Sequence, residues 1–351
     1  MSHTIVYIGS YAERSAQSIY IYTLDGETGK LAYVHSTGGV LNPSFLTVNA
    51  DQTRLYAVSE TTQQPGSVVS YVLDAHKGQL TPINEQSTNG GAPCHIAIAD
   101  KGNFLVLPNY IGGSICLYPI QPDGSIGNRA YEVQHHGSSI NPDRQDTPHP
   151  HSTNVDPSGK FIFVPDLGLD KIVTYEIDRE AKQLILQGET AVKPGSGPRH
   201  FVFHPQHNYA YVINEISSTI IAFTYDPELQ TLAAIQTVGT LPADYQGVNT
   251  AAEVLIHPSG QFLYGSNRGH DSIVVFALNP TTGQLTYVEH VSTQGKGPRN
   301  FALTPDGAML LVANQDSSNI VSYRIDQQTG KLTATGESLE IPHPVCLKIF
   351  N

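Results

Sequence analysis

The chain has 351 residues, with 19 Lys or Arg against 31 Asp or Glu, giving a formal net charge of −12 at pH 7. This acidic balance argues against nucleic-acid and anionic-membrane partners, since both rely on basic surfaces. No apolar stretch approaches the roughly 18 residues that suggest a membrane span. If the protein binds an anion, the positive charge must therefore be local.

The cysteines and the first residues predict the compartment. Cys94, Cys116 and Cys346 are an odd number without a pairing pattern. The start Met1-Ser2-His3-Thr4 has neither the basic nor the apolar region of a signal peptide. We therefore expect a reducing, cytoplasmic location.

In chain order, the predicted elements begin with two short strands, Ile5–Ile8 and Ile19–Tyr22. A tight turn follows, where Gly29 supplies a positive φ at little cost. A unit of about fifty residues then repeats. Its origins are Pro43, Pro93, Pro150, Pro198, Ala251, Pro298 and Pro344.

Each copy contains an apolar run, a turn, two further runs and a last strand that follows a glycine turn. One copy shows the turn at Pro157-Ser158-Gly159, a second run at Phe161–Val164 and an alternating third run at Ile172–Ile177. In the copy whose origin is Ala251, the last strand follows a turn at Gly283. Four strands at this period are typical of a β-propeller blade.

Val345–Ile349 is then the innermost strand of a blade completed by Ile5–Ile8 and Ile19–Tyr22. We therefore predict an all-β, seven-bladed β-propeller with four-stranded antiparallel blades, forming a single domain over residues 1–351. Pairing of the N- and C-terminal strands within one blade closes the ring and leaves no long open edge.

The repeat also selects candidate site residues. In a blade, the start of the innermost strand and the end of the second strand meet near the axis at one mouth of the channel. One position after the origin lie His151, Arg199 and Arg299, and seventeen positions after it lie Glu215 and Arg268. Three guanidiniums, an imidazole and a carboxylate at one mouth would clamp an anion and move a proton.

Several of these residues also have a structural interpretation. Glu215 is equally well explained as the counter-ion of Arg199 or Arg268. Arg299 lies in a Gly-Pro-Arg-Asn turn, where bridging loops is the favoured role. Asn214, sixteen positions after its origin, belongs to a set of short polar residues that usually bond to backbone at a strand end. Contact of Asn214 with a ligand is the alternative.

Histidines and loops complete the candidates. His149 and His151 point to the same side of an extended segment, but the sequence has fifteen histidines scattered throughout, so we expect no metal. No phosphate-binding glycine loop or dinucleotide fingerprint is present, and we expect no cofactor. His200, His204 and His257 are interpreted as structural. The loops 137–148 and 242–250 are expected to overhang the mouth.

Two segments resemble the signature of a known family. Gly197–Pro205 followed by Tyr209–Glu215 is similar to that of the seven-bladed propeller lactonases. This family includes bacterial 6-phosphogluconolactonases of the propeller type and the fungal 3-carboxy-cis,cis-muconate cyclase, and the likeness covers essentially the whole chain. The resemblance implies a metal-free active site at one mouth. Its residues match His151, Arg199, Glu215 and Arg268.

The resemblance implies hydrolysis of a sugar lactone, with 6-phosphogluconolactone of the pentose phosphate pathway as the preferred substrate. The arginines would hold the phosphate and the developing oxyanion. Glu215 would be the base and His151 the acid, or the reverse. The alternatives are a muconate-type lactonising cycloisomerase, a non-enzymatic binding propeller and a metal-dependent gluconolactonase-like propeller. The sequence does not determine the oligomeric state.

Overall fold

The computed structural model describes residues 4–63, 65–74 and 78–350. Within these ranges the strands form seven four-stranded antiparallel sheets. The helical content of the same ranges is one 3₁₀ turn, Asp100–Gly102. The predicted all-β architecture of seven four-stranded blades is confirmed.

The first three sheets in chain order use the following strands. They are β1 (Thr4–Ser10), β2 (Ile19–Leu24), β3 (Leu31–Thr37), β4 (Leu46–Val48), β5 (Arg54–Ser59), β6 (Ser67–Asp74), β7 (Gln79–Ser87), β8 (Ala97–Ala99), β9 (Phe104–Asn109), β10 (Ser114–Pro119) and β11 (Tyr131–Gln134).

The next two sheets use β12 (Asn154–Val155), β13 (Phe161–Asp166), β14 (Lys171–Asp178), β15 (Gln183–Ala191), β16 (Pro198–Phe203), β17 (Tyr209–Asn214), β18 (Thr219–Asp226) and β19 (Thr231–Gly239). The remaining strands are β20 (Thr250–Ile256), β21 (Phe262–Arg268), β22 (Ser272–Leu278), β23 (Leu285–Ser292), β24 (Pro298–Leu303), β25 (Met309–Asn314), β26 (Asn319–Ile325), β27 (Leu332–Glu340) and β28 (Pro344–Phe350).

One sheet mixes distant parts of the sequence in the order β28-β1-β2-β3. The β1 and β28 strands are antiparallel, with Ile8 opposite Leu347 and Tyr7 opposite Lys348. The other six sheets each use four consecutive strands. We call the strands β4, β8, β12, β16, β20, β24 and β28 the inner strands. The predicted pairing of N- and C-terminal strands is confirmed.

The turn chemistry agrees with the sequence. Gly29, Gly283 and Gly330 adopt φ values of +83°, +69° and +70°. His204 Nε2 donates to the Gly260 carbonyl over 2.9 Å, and His257 Nε2 donates to that of Gly307 over the same distance. Each imidazole therefore ties an inner strand to a turn of the next sheet, which confirms the structural interpretation of these two histidines.

The chain divides into two compact units. The first unit contains the described residues up to Ser10, Ile21–Val34 and those from His200 onward. The second unit contains Tyr11–Tyr20 and the described residues from His35 to Arg199. Each has buried apolar clusters of its own, around Tyr211 in the first and Phe104 in the second. The single domain over residues 1–351 stays a prediction.

Candidate active site

The buried Glu215 and the half-buried Arg268 form an ion pair in the first unit. Glu215 directly follows β17, and Arg268 is the final residue of β21, so both lie where a second strand ends. Arg268 Nη2 is 3.0 Å from Glu215 Oε2, and the two side chains are 17% and 7% exposed. The structure thus brings together two of the predicted residues from successive sheets. This contact fits both the catalytic and the counter-ion interpretation of Glu215.

Main-chain carbonyls hold the Arg268 guanidinium at the start of β20. Its Nε donates to the Thr250 carbonyl over 3.4 Å, and its Nη2 donates to that of Ala251 over 3.3 Å. The Ala251 N–H in turn donates to the Glu215 carbonyl over 3.2 Å. Side chain and backbone therefore fix the Glu215–Arg268 pair in one geometry.

Asn214 lies just before this pair and is fully buried. Its Nδ2 donates to Thr219 Oγ1 over 2.9 Å. The equivalent amides of Asn267 and Asn314 donate to main-chain carbonyls of Thr240 and Thr293. Asn267 and Asn314 therefore bond to backbone, as the structural interpretation expects, whereas the bond of Asn214 goes to a side chain. Substrate contact by Asn214 stays a prediction.

Arg299 is the second residue of another inner strand. It lies in β24 at a register irregularity between Pro298 and Asn300, and its side chain is half-buried. Its neighbour Asn300 is buried and contacts Glu253. A role of Arg299 in substrate binding stays a prediction.

In the second unit, His151 is almost fully buried. The main-chain N–H of His151 donates to the Pro165 carbonyl over 2.9 Å. The Cys94 thiol donates to the main-chain carbonyl of His151 over 3.1 Å. The Cys94 sulfur is also 3.9 Å from His151 Nδ1. The Tyr110 ring approaches the imidazole edge-on, with 5.4 Å between centroids. A thiol and a phenol therefore flank the predicted acid.

Arg199, in the same unit, is only 2% exposed. Its carbonyl accepts a hydrogen bond of 2.9 Å from Ser152 Oγ, which links β16 to the segment that follows His151. A guanidinium this deeply buried is costly unless acceptors surround it. Arg199 is therefore a buried charge and not a solvated surface group.

His149 is directed towards Tyr110. Its Nδ1 donates to the Tyr110 carbonyl over 2.9 Å, and the two rings stack at 4.5 Å between centroids. Within residues 4–63, 65–74 and 78–350, no group of three or more His, Cys, Asp or Glu side chains is arranged to hold a metal ion.

Sequence reasoning missed Arg144. It lies in the loop 137–148, outside the repeat positions, and its Nη2 donates to the Tyr110 phenol oxygen over 3.3 Å. The following residue, Gln145, is fully buried. The only sequence signal was a basic residue in a loop predicted to overhang the mouth.

A buried polar chain was also missed. Glu253 Oε1 is 2.7 Å from His200 Nδ1, and Glu253 Oε2 accepts from Asn300 Nδ2 over 2.5 Å. Asn300 Oδ1 accepts from the Leu347 N–H over 2.7 Å. His200, Glu253 and Asn300 each lie two positions after a repeat origin. His200 therefore directly follows Arg199, and Asn300 directly follows Arg299.

The second unit also contains a cavity of about 1060 Å³, lined by residues from the segments 48–51, 53–54, 100–103, 120–122 and 155–159. It lies where inner strands such as β12 end, whereas His151 precedes β12. Its three acidic side chains already have hydrogen-bond partners, Asp51 with Thr53, Asp100 with Arg179 and Asp156 with Ser158. The cavity is therefore separate from the candidate site.

Comparison with known proteins decides the family. The chain matches the family described as "Lactonase, 7-bladed beta-propeller" over residues 5–349. The chain belongs to this family. The resemblance read from Gly197–Glu215 and the propeller fold are therefore confirmed.

Individual relatives cover nearly the full chain. A 6-phosphogluconolactonase of Bacillus subtilis is 35% identical over 351 residues, covering 100% of this chain and 99% of the relative. A 6-phosphogluconolactonase of Formosa agariphila is 36% identical, covering 98% and 99%. The solved structure of a periplasmic gluconolactonase of Pseudomonas aeruginosa has a TM-score of 0.94 at 32% identity, covering 100% and 99%. None of these three is named as a cycloisomerase.

No helix in the described part of the chain combines the length and the apolar character that crossing a membrane requires.

Proposed function

We propose that this protein is a cytoplasmic lactonase that hydrolyses 6-phosphogluconolactone to 6-phosphogluconate in the pentose phosphate pathway. The observation that carries the proposal is the Glu215–Arg268 ion pair, in a chain 35% identical over its full length to the B. subtilis 6-phosphogluconolactonase. The substrate is a small anion, which a locally positive site on an acidic protein would attract.

We assign the reaction to four residues at two repeat positions, His151 and Arg199 from the second unit and Glu215 and Arg268 from the first. A water molecule attacks the lactone carbonyl, Glu215 accepts its proton, and guanidinium groups stabilise the oxyanion that forms. The bond between the carbonyl carbon and the ring oxygen then breaks. His151 protonates that oxygen, so the products are a hydroxyl group and a carboxylic acid, which releases its proton to water and becomes a carboxylate.

The roles of Glu215 and His151 are exchanged in the alternative assignment. A carboxylate that contacts a guanidinium is a weaker base than a solitary one, and Glu215 has such a contact. The pH dependence of kcat/KM separates the assignments. If His151 is the acid, His151→Asn removes the alkaline limb of the profile and leaves the acidic limb in place.

The unphosphorylated sugar lactone is a second candidate substrate. It is favoured by the similarity to the P. aeruginosa protein, which is named a gluconolactonase. The two substrates differ by one phosphate, so kcat/KM measured for both gives the preference directly. We expect the phosphorylated lactone to be preferred.

The test of the proposed function follows the disappearance of freshly prepared 6-phosphogluconolactone. We expect the wild type to exceed spontaneous opening, and Glu215→Gln to lose about 100-fold or more in kcat, the usual contribution of a general base. Glu228→Gln, in an exposed turn, is the control and keeps full activity. A wild-type rate equal to spontaneous opening would refute the function, whereas equal rates for wild type and Glu215→Gln would reject Glu215 as the base.

A further inference from the structure

Arg144 is connected to the proposed acid through a single aromatic ring. Its Nη2 donates to the Tyr110 hydroxyl over 3.3 Å. The Tyr110 ring lies edge-on to His151 and stacks on His149. All four residues belong to the second unit. The guanidinium is therefore placed by the same tyrosine that packs against the predicted catalytic imidazole.

The loop that carries Arg144 is folded around a buried glutamine. Gln145 Nε2 donates to the Leu167 carbonyl over 2.8 Å, and Gln145 Oε1 accepts from the Asn141 N–H over 3.2 Å. The Gln145 main chain bonds to Asn141 and Ser139 at 2.8 Å each. These bonds fix the backbone beside Arg144 before any ligand arrives. Preorganisation of this kind lowers the entropic cost of binding.

The chemistry of this arrangement suits a phosphate group. A guanidinium offers donors in a planar fork that matches phosphate oxygens. Arg144 and Tyr110 are both half-buried, so their interaction with an anion is screened less than it would be at a fully exposed site. On a protein with a net charge of −12, this local cation provides what a dianionic substituent needs.

We propose that Arg144, oriented by Tyr110, binds the phosphate of the substrate and makes the enzyme select phosphorylated over unphosphorylated sugar lactones. This inference rests on the proposed hydrolysis of 6-phosphogluconolactone. Arg144 is a specificity residue in this scheme. It contacts the substituent that does not react, while His151, Arg199, Glu215 and Arg268 act on the lactone.

The test compares kcat/KM of Arg144→Gln for 6-phosphogluconolactone and for glucono-δ-lactone. We expect a loss of about 10- to 100-fold for the phosphorylated substrate, the usual range for hydrogen bonds to a charged group. The loss falls mainly on KM, and the rate on glucono-δ-lactone stays within about twofold. Arg324→Gln removes an exposed guanidinium that donates to the Glu27 carbonyl and serves as the control.

Two additional variants sharpen the result. Arg144→Lys keeps the charge without the fork and should retain part of the selectivity. Tyr110→Phe removes the phenol that orients Arg144 and should weaken selectivity less than Arg144→Gln. An equal loss of Arg144→Gln on both lactones, or no loss on either, would overturn the proposal.

Binding of the product gives a readout that does not depend on turnover. Calorimetry with 6-phosphogluconate should show weaker binding to Arg144→Gln than to wild type, with thermal unfolding confirming that the variant is folded. Equal affinities would also overturn the proposal. The two hypotheses remain separable, because wild-type hydrolysis of 6-phosphogluconolactone tests the function, while the ratio between substrates and the product affinity test Arg144.

Discussion

The imidazole of His200 lies against the carboxylate of Glu253, with 2.7 Å between Nδ1 and Oε1. Both side chains are almost fully buried. The other carboxylate oxygen accepts from Asn300, and Asn300 accepts from the Leu347 N–H. These bonds connect the inner strands β16, β20, β24 and β28. His200 and Asn300 directly follow Arg199 and Arg299, so the chain fixes the backbone next to two predicted substrate ligands.

Glu253→Gln should therefore destabilise the protein. The amide nitrogen that replaces one carboxylate oxygen would face either His200 or Asn300, both of which supply a donor in the native arrangement. We expect a loss of about 2 to 4 kcal/mol in the free energy of unfolding, the usual cost of losing bonds to a buried charge and leaving a donor unsatisfied. Urea unfolding measures it. The control is Glu340→Gln, on the exposed end of β27, which should change the free energy of unfolding by less than about 0.5 kcal/mol. A change that small in Glu253→Gln would show that the stability of the fold does not require the Glu253 carboxylate charge.

Arg199→Lys should weaken the interaction of the enzyme with its anionic substrate. A lysine ammonium keeps the charge but replaces a planar fork with a single point of contact. We expect kcat/KM for 6-phosphogluconolactone to fall by about tenfold or more. Arg179→Lys, whose guanidinium pairs with Asp100 beside the separate cavity, is the matched control and should keep its activity. An unchanged kcat/KM in Arg199→Lys would count against substrate binding by Arg199.

Chelation should leave the activity unchanged. The assigned chemistry uses guanidinium, imidazole and carboxylate groups, and stabilisation of the oxyanion comes from arginine. Incubation with EDTA, followed by assay in metal-free buffer, is the measurement. Loss of activity that returns on addition of a divalent cation would instead favour the metal-dependent gluconolactonase-like alternative.

Two histidines with lowered pKa values, the buried His204 and the half-buried His290, predict a loss of stability in mild acid. Burial lowers the pKa of His204 and of His290, and a neighbouring histidine lowers each further. Below the unfolded pKa of about 6.5, the unfolded chain binds protons that the folded protein does not bind. Their contribution is therefore complete above that pH and declines as the pH falls.

The unfolding temperature should thus drop between about pH 7.5 and pH 5.5, above the range where carboxylates dominate. The drop should be smaller in His204→Asn, which removes one buried imidazole. His136→Asn, with an exposed side chain, is the control. An identical drop in wild type and His204→Asn would contradict the assignment.

The repeat explains why the fold was predictable. Each copy carries its own turn signals and alternating strands. A strand that is ambiguous in one copy can therefore be assigned from its equivalents in the other copies. The closing sheet followed from counting residues between Pro344 and Pro43. One inner strand, β12, is only two residues long, because Pro150 and its surroundings pair with Asp166 as an isolated bridge. Local deviations of this kind are invisible in the averaged pattern.

The candidate site was predictable only where it follows the repeat. Glu215 and Arg268 were selected by position, and the structure places them in contact. Arg144 lies in a loop between two repeat units, where length and sequence differ from copy to copy, so an alignment of the repeated strands does not identify it. Glu253 does occupy a repeat position, but its importance depends on the residues it faces in neighbouring strands. That information exists only in three dimensions.

The pairing of β1 with β28 has a consequence for biosynthesis. The ribosome makes β1 several hundred residues before its partner, which at typical elongation rates is a delay on the order of tens of seconds. During that interval the Tyr7 edge of the nascent sheet has no strand to accept its hydrogen bonds, and exposed edges of this kind invite wrong partners. We therefore expect the nascent protein to depend on chaperones until β28 leaves the exit tunnel.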